Sequence, residues 1–124
     1  MPHFVLCGPL DLEEVTSRLD LGVVRWGRAV LKTGDVWRRS DGAAVLVEGV
    51  VVELTRPLHP VALVSPRDGD TVVRLWSVVE VERTPAVQRW LGVIARGLQE
   101  LGGGAVRTTN IGDDTLEGLG LDFG

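Results

Sequence analysis

From residue 85 to residue 101, apolar side chains recur at three- and four-residue steps: Val87, Trp90, Leu91, Ile94, Leu98 and Leu101. That spacing draws one continuous stripe along a helix. Thr84 can cap its start, Pro85 suits the first helical position, and Gly102-Gly103-Gly104 stops it. Gln88, Arg89, Arg96 and Gln99 fall elsewhere on the circumference. Such a helix gains most of its stability from an apolar surface to lie on. Gly92 and Gly97 inside it each cost about 1 kcal/mol relative to alanine. They read as points of close packing on a sheet.

The preceding residues supply that sheet. Residues 4–7 form a short apolar strand closed by Gly8-Pro9. A first helix is expected over 11–21, with Asp11 as cap, Glu14 completing a capping box, Leu10 and Val15 as a staple, and Gly22 as the stop. Residues 24–31 then alternate as a strand, Thr33-Gly34-Asp35 carries turn chemistry, and 36–39 resume the sheet. Asp41-Gly42 marks a hairpin. The valine-rich run 43–54 reads as a long central strand with apolar residues on both faces, and Gly49 as a bulge or close approach. Pro57 and Pro60 bracket a loop, 61–64 is a short strand, and 66–69 is a turn. Residues 71–82 alternate: Val73, Leu75, Val79 and Val81 on one side, Arg74, Trp76, Val78, Glu80 and Glu82 on the other.

The expected fold is therefore α+β: an antiparallel meander of five to seven strands packed by two helices, about 11–21 and 85–101. Residues 1–109 read as a single domain and 110–124 as an acidic, glycine-rich tail, mobile on its composition. No apolar run approaches the roughly 20 residues that span a bilayer. The first seven residues lack the basic flank and the length of a signal peptide, and one cysteine cannot form an internal disulfide. A cytoplasmic location and no membrane association are expected.

Catalytic chemistry is thin. His3, Cys7 and His59 lack metal-ligand spacing, and no cofactor motif is present. Cys7 before a helix start, with His59 as base, is the one nucleophilic arrangement on offer, and as a small strand residue Cys7 is more simply part of a core. Glu48 and Glu53 have opposite parity and do not form an acid–base pair on a regular strand.

Binding residues are more prominent. Residues 23–40 hold Arg25, Arg28, Lys32, Arg38 and Arg39 against Asp35, whereas 110–124 hold four acids and no base. Trp26, Arg28, Trp37 and Arg38 lie on expected neighbouring strands, and Trp76 beside Arg74 has the composition of a binding hot spot. The expected function is a non-catalytic binding or regulatory domain. It recognises a protein partner or itself as a homodimer, through Trp76, Arg74, Trp26, Arg28, Trp37 and Arg38. Two alternatives stand beside it. One is a small-ligand site or modest enzyme using Cys7 and His59. The other is an anion or nucleic-acid surface at 25–39, against which the net charge of −4 weighs.

Overall fold

The computed structural model describes residues 1–124, and the fold is α+β. In chain order the elements are β1 (His3–Leu6), α1 (Leu12–Arg18), β2 (Val23–Trp26), β3 (Ala29–Arg38), β4 (Val45–Glu53), β5 (Arg56–Leu58), β6 (Val61–Arg67), β7 (Asp70–Leu75), α2 (Pro85–Glu100), β8 (Val106–Thr109) and α3 (Asp113–Leu116). The eight strands make one sheet in the order β2-β3-β4-β6-β7-β1-β8, with β5 pairing β4 off that path. Every pairing is antiparallel. The antiparallel run β3-β4-β6-β7 matches the expected meander, while the eight strands and three helices exceed the five to seven strands and two helices expected. The placement of β1 between β7 and β8 joins the chain's two ends to the far edge.

One parity of side chains builds the core. Phe4, Leu6, Leu31, Val45, Val47, Val51, Val64, Val73 and Leu75 point to the helices and are fully or almost fully buried with Trp90, Leu91, Ile94 and Leu98 of α2. Burying each side chain of this size contributes roughly 1.5–3 kcal/mol. Trp90 is 0 % exposed, and its indole N–H donates to Thr33 Oγ1 at 3.1 Å. Gly49 lies directly beneath that ring. A Cβ there would sit 2.4 Å from the indole, so the glycine serves close approach, with no bulge at this position.

Several expected boundaries move. The first helix ends at Arg18, because Leu19 leaves the helix and turns, with Leu21, onto α2 at Gly97. Gly92 likewise admits Leu116 of α3 and Leu119, with the Phe4 ring of β1 farther off at 3.8 Å, so both helix glycines accommodate other segments more closely than the sheet. The expected strand 24–31 is a hairpin: Gly27, at φ +56°, makes the turn between β2 and β3. Thr33-Gly34-Asp35 is a bulge inside one continuous strand, since Thr33 pairs Gly49 while Val36 pairs Val47. The proline loop contains β5, whose Pro57 needs no ladder donor at the sheet's edge. The strand expected over 71–82 stops at Leu75, after which Val79 N–H bonds the Trp76 carbonyl in a turn and Val81 folds in against the core.

The acidic C-terminal segment lies along α2. Ile111 and Leu116 are buried, Gln99 brackets the Asp122 backbone from both sides, and Val106 N–H donates to the Asp122 carbonyl. Arg89, which falls off the apolar stripe, is also buried. It donates to the Thr115 and Glu117 carbonyls at 3.1 and 2.6 Å, and its guanidinium stacks 5.1 Å above the Trp26 ring. Burial pushes its pKa down, and the neighbouring Glu117 opposes that shift. No helix is long and apolar enough to cross a membrane.

Candidate functional site

All three helices contribute to the single core cluster, and that cluster uses only one side of the sheet. The other side has no helix over it. Its outward rows can be followed through the register. Trp37, Leu46, Leu63, Arg74 and His3 stand side by side across five strands. The next row holds Glu48, Val61 and Trp76, the last joined to β6 by its backbone N–H to the Val61 carbonyl at 2.8 Å. Val50, Val52 and Val30 extend the apolar surface toward β2, where Lys32 and Arg25 flank it.

Leu46, Leu63, Val61, Val50, Val52 and Trp76 are only half-buried, and Trp37 is 57 % exposed. Together they form an apolar face without cover, of the kind that marks an interaction site. At its centre Leu46 and Leu63 are the floor of a hollow of about 660 Å³, with Trp76 and Arg74 on one flank and Arg39 on the other. The Trp37 indole donates to Glu48, holding both side chains on this surface.

The sequence-selected residues divide between the two faces. Trp76, Arg74 and Trp37 meet on the open one. Trp26 does not: it pairs Ala29 with helix-side parity and packs under Arg89. Arg38 also points to the helix side, 3.8 Å from Glu13 of α1, and Arg28 lies in the β2–β3 turn beside a small hollow near Glu53 and Pro85. The bulge at 34–35 decides this split. Without it, Trp37 would carry the parity of Leu31 and face the helices, and Arg38 would face outward. The 25–39 stretch is therefore not one continuous basic aromatic surface. Leu46 and Leu63 were missed as site residues. The signal available was that 43–54 is apolar at both parities, which reads equally as a strand buried on both sides.

Cys7 and His59 are far apart. Cys7 follows Leu6, which aligns with Thr71 and through it with Pro66, while His59 precedes the opposite end of β6. At about 3.3 Å per residue the separation is on the order of 20 Å. Glu48 is exposed, and Glu53 accepts from the Thr84 hydroxyl at the start of α2. No three of the His, Cys, Asp and Glu side chains gather in one place. Glu82, expected on a strand face, lies in the loop after β7 and pairs with Arg56.

The most strongly organised polar group stands at the sheet's far corner. Asp70 accepts from Gly8 N–H at 3.0 Å and from Arg107 Nε at 2.8 Å, and these two bonds, the backbone one foremost, hold its carboxyl below the usual range. The same pairing raises the Arg107 pKa. With every partner contributed by this chain, the cluster ties the β1–α1 turn to β7 and β8. No protein-family model matches this chain, and neither the curated proteins nor the solved structures contain a match.

Proposed function

We propose that this chain is a non-catalytic recognition domain that binds another polypeptide on the open face of its sheet. The observation that carries the reading is the row Trp37, Leu46, Leu63 and Arg74, with Trp76 beside it, left uncovered by a fold whose helices bury the opposite parity through the centre of the sheet. Aromatic and arginine side chains around an apolar centre are the composition of interface hot spots. The rigid sheet fixes their spacing before a partner arrives, which lowers the entropy cost of binding.

A heterologous partner is favoured over a second copy. Arg74 has no carboxylate partner, and Lys32 and Arg25 stand on the same side without one. Two such faces laid together would set Arg25, Lys32 and Arg74 of each copy against those of the other, with Glu48 as the one unpaired acid in these rows to offset them. The test is to pan a displayed random-peptide library on the wild-type chain, with counter-selection on the Leu63→Gln and Trp76→Ala variants. Peptides that need both residues are expected. Enrichment of peptides indifferent to both, or of none, removes the reading.

A further inference from the structure

We propose that the occupant of the open face is an acidic polypeptide segment whose apolar side chains enter the hollow over Leu46 and Leu63, while its carboxylates meet Arg74 and Arg39. This rests on the reading of that face as a contact surface and adds the chemistry of the partner.

The charge inventory of the hollow favours an acid. Arg74 is in register with Leu63 on one side and His3 on the other, and makes no hydrogen bond or ion pair through its guanidinium. Arg39 bonds Asp41 at 2.9 Å yet remains 66 % exposed, so its remaining donors are free for a second carboxylate. Of the two acids nearby, Asp41 is paired with Arg39 and also accepts from the Ala43 amide, whereas Glu48 keeps its negative charge while accepting from the neutral Trp37 indole. Farther along the face Lys32 and Arg25 add positive charge without a carboxylate partner. Against Asp41 and Glu48 this side sets Arg25, Lys32, Arg39 and Arg74, so a chain of net charge −4 presents a surface of net positive sign here.

The shape adds the apolar requirement. The Leu46–Leu63 floor, with Trp76 against it, offers burial for side chains of leucine or phenylalanine size between two guanidinium groups. An apolar surround strengthens an arginine–carboxylate pair by excluding water. A nucleic acid would meet the arginines but leave the apolar floor unfilled, and it would be repelled by the rest of the chain.

The experiment uses the full chain and a fluorescein-labelled peptide in which Glu alternates with Leu and Phe. Its control has every Glu replaced by Lys. Fluorescence anisotropy is expected to show the Glu peptide binding at least about tenfold more tightly than the Lys peptide, more weakly as salt is raised. Arg74→Gln is expected to weaken it by about tenfold and Arg74→Lys by less, with thermal unfolding unchanged in both. Equal binding of the two peptides, no binding of either, indifference to Arg74→Gln, or preference for a single-stranded oligonucleotide each overturns the proposal. Panning that returns neutral or basic peptides dependent on Leu63 and Trp76 discards the acidic occupant and keeps the contact face. Panning that returns no peptide of any charge dependent on Leu63 and Trp76 removes both.

Discussion

The two faces of β4 differ by one residue in sequence and by nearly everything else in circumstance. Val45, Val47 and Val51 point inward and are completely buried; Leu46, Val50 and Val52 point outward and are only partly buried. The side chains are alike in kind, so their chemistry does not explain the difference. The helices do, because all three lie on one side. A two-layer fold of this type needs one apolar face. The second apolar face exceeds what folding requires, and this surplus is where recognition can reside.

Two substitutions on the covered side should show how tightly it is specified. Trp90→Ala removes the largest fully buried side chain and its bond to Thr33. A loss of about 3–5 kcal/mol is expected from urea unfolding followed by circular dichroism. Gly49→Ala should cost about 1–3 kcal/mol, because the new methyl overlaps the Trp90 ring. Combined with Trp90→Leu, it should cost less than the two changes summed, since the smaller side chain leaves room. Additive losses would mean that Gly49 and Trp90 do not share the space assigned to them.

This contrast also marks how far the sequence could be read. The α2 stripe and the cap at Thr84 were legible because spacing and capping are local. The antiparallel meander was legible from its turns. The sides of Trp26 and Trp37 were not, because the bulge at 34–35 inserts one extra residue and so reverses parity, and its Gly-Asp sequence resembles an ordinary turn. The burial of Arg89 was not legible for a related reason: only the C-terminal segment crossing α2 supplies the carbonyls that satisfy it. Of the open site, Trp76 and Arg74 stood out by composition, whereas Leu46 and Leu63 resembled any core residues until the missing cover was seen.

At the corner of the open side, polar ties take the place of an apolar cover. Asp70 has a folded-state pKa below its unfolded value of about 3.9. Its contribution is therefore present above that pH and is lost as pH falls through the depressed folded value. Asp70→Asn should lower the urea midpoint at neutral pH and flatten its decline below about pH 4, so that variant and wild type converge in acid. Parallel midpoint curves for the two proteins would show that the bonds from Gly8 and Arg107 do not set the acid response of this edge.

The smallest effect on stability is expected at the centre of the same face. Leu63→Gln and Trp76→Ala should each change unfolding free energy by no more than about 0.5 kcal/mol, because neither belongs to the buried cluster. Both remain partly open to solvent with no helix packed over them, so less burial is forfeited than at Trp90. The measurement is the urea midpoint at two protein concentrations. A loss as large as that of Gly49→Ala, with a wild-type midpoint that rises with concentration, would mean that the face is covered by another copy of the chain in the folded state. The surplus apolarity of β4 would then be part of what holds the fold together, and the distinction between its two sides would collapse.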